Sequence, residues 1–280
     1  MATDAHAHPM DLLNLAGEAE AERRSLSIAC TASSCTKEEF LFHEKLAADA
    51  KKDNAAPIFP CFAVHPQFPA YVKKEKLSCS VSDFKDSLEL LSTLAAEGRI
   101  SAVGECGFDL YSQNYKETEI VQDKIFPPHL EIALRYKLPL VIHVRRAMRK
   151  IFPYGKALSK LPAVIFHSWP GAPGEAFSLL RKSIRAYFSF GTTLLLNHKN
   201  AIESFGVLPP ENLLLETDAP YQSLRGNNYS SWKDLPLILQ GAAKIRKTAG
   251  AKDGTEAGEL EQFIDRNFFG VFKQYIKDEK

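Results

Sequence analysis

The feature that most constrains the fold of this chain is a set of short apolar runs that stop near metal-binding residue types. Four of these runs are Ile100 to Val103, Leu138 to Ile142, Ala163 to Phe166 and Leu213 to Leu215. The residues that follow them, at once or within three positions, are Glu105, His143, His167 and Asp218. Short apolar runs between turn residues are typical of buried strands. Residues that can bind metal ions are therefore expected at the ends of several strands.

Strand and helix patterns alternate along the rest of the chain. Four more strands are predicted over Ala2 to His8, Ser25 to Ala32, Pro57 to Val64 and Ile184 to Phe190, and the run at Leu213 extends to a last strand over 212–217. Helices are predicted over 36–51, from about 82 to 98, and over 174–183, 200–205, 235–248 and 256–276. Thr36 and Glu39 form a capping-box pattern, and Pro127-Pro128 predicts a helix start or kink.

Eight strands joined by helices predict an α/β protein with a parallel sheet. The 280 residues contain no repeat or linker, so we expect one TIM (β/α)8 barrel domain over residues 1–280. In such barrels the carboxyl ends of the strands meet at one face, where active sites lie. The strand-terminal acids and imidazoles should therefore converge there.

His6 and His8 extend this set to six candidate ligands. Residues two apart on a strand face the same side, about 6–7 Å apart at the backbone, so both imidazoles can reach one ion. An isolated pair of this kind is a weak signal, but six ligand types on separate strands predict a metal site. Glu105 is the natural bridge between two divalent ions, because a carboxylate lowers their repulsion. Zn, Mn or Mg would serve, and the imidazoles favour Zn or Mn.

Composition excludes several classes of protein. The net charge is +1, from 35 basic and 34 acidic residues, so no global field attracts nucleic acid. Five scattered cysteines without a C-x-x-C pair favour a reducing compartment. The N-terminus lacks the pattern of a secretory signal, and no apolar run is long enough to span a membrane. We therefore expect a cytoplasmic protein that contacts no membrane and has no obligate protein partner. The basic run 145–150 is interpreted as a solvated helix face except for Arg145, a candidate phosphate ligand beside His143.

The motifs resemble those of the TatD family of metal-dependent deoxyribonucleases, within the amidohydrolase-type barrels. The matching segments are Asp4 to His8, Ala63 to Pro66, Val103 to Asp109, Leu138 to Ala147, His167 to Gly171 and Leu213 to Tyr221. The resemblance implies one ion on His6, His8, Glu105 and Asp218, and a second on Glu105, His143 and His167. It further implies that His65 and Arg145 contact the scissile phosphate. Asp218 and Glu105 would be catalytic, with Asp218 acting as the general base.

The chain also departs from the family pattern. His129 stands where the family usually has Gln, residues 227–229 lack the usual Asn-x-Pro, and the segment after His167 differs. Trp169 in that segment either stacks on a nucleobase or packs on its neighbours. The predicted function is hydrolysis of DNA or another phosphodiester by a water activated by two metals. The alternatives are an amidohydrolase or lactonase acting on a small molecule, and a barrel scaffold without catalysis.

Overall fold

Eight parallel strands form one sheet in which each strand pairs with the next along the chain. In the computed structural model, which describes residues 1–278, they are β1 Ala2–Ala7, β2 Ile28–Ala32, β3 Ile58–Phe62, β4 Ala102–Asp109, β5 Leu140–Arg145, β6 Val164–Phe166, β7 Ala186–Phe190 and β8 Leu213–Leu215. The predicted TIM barrel is thereby confirmed. The predicted domain includes residues 279–280, which lie outside the described residues, and its bounds stay a prediction.

Helices surround the strands. They are α1 Pro9–Leu15, α2 Ala19–Ser25, α3 Lys37–Lys52, α4 Phe68–Lys76, α5 Lys85–Ala96, α6 Gln113–Lys116, α7 Glu119–Tyr136, α8 Met148–Ile151, α9 Gly155–Leu158, α10 Pro173–Arg181, α11 Lys199–Val207, α12 Asp234–Thr248, α13 Ala257–Val271 and α14 Lys273–Asp278. No helix of residues 1–278 is both long and apolar enough to cross a membrane. The predicted capping box is present at α3, where the Thr36 side chain accepts from Glu39 N.

Several predicted boundaries were wrong. Ser25 ends α2, so β2 begins only at Ile28. Helix α7 starts at Glu119 and contains both Pro127 and Pro128, so it does not start at the prolines. The helix predicted over 256–276 is two helices that meet at Phe272. Helices α1, α2 and α4, in the connections after β1 and β3, were not predicted, because short helices carry little periodicity.

Strands β1 and β8 are joined by individual hydrogen bonds. His8 N donates to Ala219 O at 2.8 Å, and Asp218 N donates to His6 O at 2.9 Å. Buried Asp4 adds two bonds across the same seam, because its carboxylate accepts from the backbone N–H and the hydroxyl of Thr217. It also accepts from His6 N within β1. The seam therefore fixes the His6 backbone directly against that of Asp218.

The barrel interior is apolar beneath the polar face. Val141 and Ile165 belong to a buried cluster that α13 closes with Phe268, and Phe272 follows in the same cluster. His143 and His167 lie two residues further along the same chain segments, so they point to the same side, nearer the carboxyl ends. The side chains of this cluster support the histidines from below.

Gly107 allows β4 to approach β5 beside His143. Its φ is +139°, and a Cβ built at this position would lie 2.1 Å from His143 O. Any larger residue would push the two strands apart at the place where His143 leaves the sheet. The glycine therefore has a positional role in the polar face of the barrel.

Candidate metal centre

The six predicted metal ligands meet at the carboxyl ends of the strands. His6, Glu105 and His143 lie within β1, β4 and β5. His8 and His167 directly follow β1 and β6, and Asp218 lies three residues after β8. Glu105 is thus inside its strand, whereas the sequence suggested a position just beyond it. The convergence itself is as predicted.

These side chains form overlapping groups whose ligand atoms lie within 4.8 Å of one another. The groups are His6, His8 and Asp218; His6, Glu105 and His167; and His65, Glu105 and His143. Glu105 belongs to two of them and His6 to two. The cluster is therefore continuous, with Glu105 at its centre.

The two oxygens of Glu105 face different halves of the cluster. Oε2 lies 3.1 Å from His6 Nε2. Oε1 lies 2.6 Å from His143 Nδ1 and 3.2 Å from His167 Nε2. This is the arrangement expected of a carboxylate shared by two cations.

The half of the cluster on the side of Glu105 Oε2 consists of His6, His8 and Asp218. The Nε2 atoms of His6 and His8 are 3.2 Å apart, and they lie 3.8 and 3.6 Å from Asp218 Oδ1. Asp218 Oδ2 accepts a hydrogen bond of 2.8 Å from Gln222 Nε2. Both imidazoles and the carboxylate thus aim lone pairs at one small volume.

The charge states of Glu105, His6 and His65 suit a cation. Burial by itself raises the pKa of Glu105, but the surrounding imidazoles and the His143 hydrogen bond lower it well below its usual range. Burial lowers the pKa of His6, and that of His65 also falls. Metal binding requires an ionised carboxylate and neutral imidazoles. Burial alone lowers the pKa of His8, His143 and His167, but neighbouring carboxylates raise it overall, so a cation would have to displace protons from these three imidazoles. His6 Nδ1 is buried without a partner among residues 1–278, so Nε2 can carry its lone pair towards Glu105 and His8.

Two carboxylates to which the sequence assigns no role lie behind His143 and His167. Asp109 forms a hydrogen bond with His143, whereas Glu216 lies close to His167 Nδ1 without forming one. Asp109 Oδ2 lies 3.0 Å from His143 Nε2, and Glu216 Oε1 lies 3.1 Å from His167 Nδ1. Each contacts the ring nitrogen that faces away from Glu105. Carboxylates in this position fix the tautomer of a metal-binding histidine and raise its basicity. Asp109 lies four residues after Glu105, and Glu216 lies two residues before Asp218. This closeness to predicted ligands could have indicated that both acids belong to the site.

His65 lies closer to the cluster than a phosphate-binding role requires. Its Nε2 is 3.1 Å from Glu105 Oε1, and its ring centroid is 4.8 Å from that of His143. The side chain is therefore placed either to bind a cation together with Glu105 or to contact a group bound beside it. Its predicted contact with phosphate stays a prediction.

An open cavity of about 900 Å³ lies over the cluster. Arg145 lines one side of this cavity, together with Gln67 and Tyr71, while Lys199 and Asn200 line another part. Trp169 is only 1% exposed, packs edge-on against Phe188 and donates to Ser204 Oγ. Of the two interpretations of Trp169, packing on its neighbours is the one the structure supports.

Fold and cluster together are those of metal-dependent barrel hydrolases. Residues 3–273 match the family described as TatD related DNase, so this chain belongs to the TatD family. The predicted family and the predicted class, a metal-dependent hydrolase, are confirmed.

Curated relatives show the same class. A metal-dependent hydrolase of uncharacterised function from Methanocaldococcus jannaschii is 30% identical over 180 residues, which cover 64% of this chain and 66% of the relative. The 3′-5′ ssDNA/RNA exonuclease TatD of Dickeya dadantii is 30% identical over 198 residues, which cover 67% of this chain and 70% of that enzyme. The matched segments thus span about two thirds of these relatives.

Solved structures share the fold over nearly the whole chain. A TatD homologue from Escherichia coli superposes with a TM-score of 0.78 at 22% identity and covers 97% of both chains. An uncharacterised amidohydrolase from Saccharomyces cerevisiae gives a TM-score of 0.73 at 13% identity, with 97% of this chain and 100% of that chain covered. At these identities the likeness concerns the barrel alone.

Proposed function

We propose that this chain hydrolyses phosphodiester bonds of single-stranded nucleic acid from the 3′ end, with two divalent cations. The observation that carries the proposal is the position of Glu105 between two groups of ligand-type side chains. Relatives named 3′-5′ ssDNA/RNA exonucleases support the substrate and the direction.

The residues fit two cations. His6, His8 and Asp218 would hold one, His143 and His167 would hold the other, and Glu105 would be shared. Nitrogen-rich ligation favours Zn or Mn over Mg. Bound cations of this kind lower the pKa of water and neutralise charge on phosphate oxygens.

Asp218 would accept the proton of the attacking water. Its carboxylate lines the cavity, and the Gln222 hydrogen bond fixes one oxygen. Burial raises its pKa, but the His8 hydrogen bond and the nearby imidazoles lower it below the usual value, so the group is ionised at neutral pH. An ionised carboxylate within hydrogen-bond reach is what a general base requires.

Arg145 and His65 would hold the scissile phosphate. Both line the cavity on the side of His143. A guanidinium can donate two parallel hydrogen bonds to phosphate, and its charge offsets the charge that builds up on the oxygens during attack. Neither residue needs to move a proton in this arrangement.

The substrate class is tested with labelled single-stranded DNA and nicked duplex, compared with a panel of lactones and dihydropyrimidine rings, each with Mn, Zn or Mg. We expect stepwise shortening of the single strand from its 3′ end. Turnover of the second panel alone would contradict a phosphodiesterase and favour the amidohydrolase alternative. Oligonucleotide binding without turnover in any metal would favour the scaffold alternative.

The shared carboxylate is tested by Glu105→Ala. We expect the variant to fold, to lose bound metal by elemental analysis and to lose hydrolysis by more than about a hundredfold, since transition-state charge stabilisation is a large part of such catalysis. Glu89→Ala is a matched control, because Glu89 is an exposed acid of α5 that pairs with Lys85. Full metal content and full activity in Glu105→Ala would show that the bridging role is wrong.

A further inference from the structure

Two arginines at the end of β5, of which Arg145 lines the cavity, lie against one tyrosine. The guanidinium carbon of Arg145 is 3.7 Å from the ring centroid of Tyr111, and that of Arg146 is 4.6 Å from the same centroid. Tyr111 is 45% exposed, and both arginines are exposed. Within residues 1–278 neither guanidinium has an ion pair or a hydrogen bond. Two uncompensated positive charges therefore lie beside one ring.

The backbone of Arg146 explains why both side chains reach the same ring. Successive side chains at a strand end normally point to opposite sides. Arg146 has a φ of +54°, in the left-handed region that residues other than glycine rarely adopt. This turn breaks the alternation and brings Arg146 to the side of Arg145.

The other two cationic side chains of the basic run 145–150, those of Arg149 and Lys150, are paired with acids. Arg149 Nη2 lies 3.3 Å from Glu119, and Lys150 Nζ lies 2.8 Å from Asp123. Both charges are compensated by acids of α7. The interpretation of the run as an ordinary helix face is right for these two residues, but it does not account for Arg146.

Hydrogen bonds fix the tyrosine relative to the metal cluster. Tyr111 N donates to Asp109 Oδ1 at 2.8 Å, while Asp109 Oδ2 lies 3.0 Å from His143 Nε2. Next to it, Leu110 N donates to Arg145 O at 2.9 Å. The ring and the arginines on it are therefore held at a defined distance from the reacting centre.

Stacking on an aromatic ring uses the face of a guanidinium and leaves its N–H edges free for phosphate. We propose that Arg146, held on Tyr111, binds the phosphate next to the one at Arg145, so that the site prefers a strand with consecutive phosphates to a small phosphodiester. This inference rests on the proposed function. It makes Arg146 a specificity residue and Tyr111 the positioning residue for both arginines.

The test compares Arg146→Ala with the matched control Arg149→Ala on two substrates in Mn²⁺, a short oligothymidylate and bis(p-nitrophenyl) phosphate. For Arg146→Ala we expect the ratio of the two kcat/KM values, oligonucleotide over small ester, to fall about tenfold, mainly through KM. The slope of log(kcat/KM) against log[salt] for the oligonucleotide should become shallower by about 0.7, since one phosphate contact is lost. Arg149→Ala should leave both quantities at the wild-type values.

Tyrosine variants test the positioning role. Tyr111→Phe keeps the ring and should keep the wild-type substrate ratio, whereas Tyr111→Leu should lower the ratio as Arg146→Ala does. An unchanged ratio in Arg146→Ala, or equal losses in Arg146→Ala and Arg149→Ala, would overturn the inference. If the wild-type chain hydrolysed neither ester but its binding of fluorescent oligothymidylate still depended on Arg146, the proposed function would fail while this inference stood.

Discussion

At the scale of single residues, the site depends on carboxylates that act in two different ways. Glu105 lies between the two ligand groups, with one oxygen towards each. Asp109 and Glu216 lie behind the histidines instead, on the nitrogen that faces away from Glu105. His6 has no such carboxylate, and its Nδ1, like His167 Nδ1, makes no hydrogen bond among residues 1–278. Of these three rings, only that of His143 is oriented by a hydrogen bond to a carboxylate behind it.

Replacing Glu216 by Gln should weaken metal binding at the half that contains His167. The amide oxygen can still accept from Ser168 N, which now donates to Glu216 Oε1 at 2.9 Å, so the fold should be retained. The charge that raises the basicity of His167 is lost, and metal affinity should fall about 10- to 100-fold. Competition with a chromophoric chelator measures the affinity.

Asp123→Asn is the control for this prediction, because Asp123 pairs with Lys150 outside the metal cluster. It should bind metal as the wild type does. Equal affinities in Glu216→Gln and the wild type would show that Glu216 does not act through His167.

At the scale of secondary-structure elements, helix α7 supports the loop that carries His65. Buried His129 on this helix accepts a hydrogen bond of 2.9 Å from Val64 N through Nε2. Its Nδ1 donates to Ile125 O at 2.6 Å, because a carbonyl oxygen can only accept. The contacts require neutral His129 with the proton on Nδ1. A Gln, usual in the family at this position, offers the same one acceptor and one donor.

His129 should make the fold sensitive to acid. Burial lowers its pKa from 6.5 to about 4. Because the unfolded chain then takes up the proton first, the stabilisation is complete above about pH 6.5 and is lost as the pH falls towards 4. Between pH 7.5 and 5 the free energy of unfolding should fall by about 2 kcal/mol through this residue.

Denaturant titrations of metal-free wild type and His129→Gln at both pH values measure this effect. The variant should lose about 2 kcal/mol less than the wild type. Acid sensitivity will remain in both proteins, since the pKa of buried His43 is also lowered, to about 3. Identical pH dependence in the two proteins would rule out a neutral, buried His129.

At the scale of the whole molecule, the barrel gathers acids and imidazoles that are distant in sequence at one face. Glu105, Asp109, Glu216 and Asp218 are all buried there. Buried ionised groups are tolerated when they are paired or bind a cation. A net charge of +1 shows nothing of this local concentration of acid. Cations at the cluster should therefore stabilise the fold as well as support hydrolysis.

Removal of metal should lower the melting temperature. A cation present at a hundred times its dissociation constant stabilises the native state by about 2.7 kcal/mol. For a chain of 280 residues that corresponds to about 5 °C. Thermal unfolding in EDTA, followed by addition of Mn²⁺ or Zn²⁺, measures the shift and its reversal. Glu105→Ala should melt at the same temperature with and without metal, and a wild-type protein indifferent to EDTA would contradict the site.

The eight strands and the chemistry of the polar face could be predicted from the sequence alone. Strands of Val, Ile, Leu and Phe are recognisable because buried parallel strands need apolar side chains on both faces. The ligand-type residues at their ends then predict a polar face, since all parallel strands end on the same side. The strand start predicted at Ser25 and the helix start predicted at Pro127 were wrong, because local propensity is weak where packing decides.

The contacts between these groups could be read only from the folded chain. The contacts of Asp109 with His143 and of Glu216 with His167 join separate segments of the chain. The spacing from predicted ligands indicates a role for both acids, but it does not indicate which histidine each contacts. The burial of Trp169 and the turn that brings Arg146 to Tyr111 likewise depend on neighbours distant in sequence. The type of a residue determines which chemistry its side chain can perform. The closed barrel sets the burial of that side chain and its distances to other groups, and these determine its role in the site.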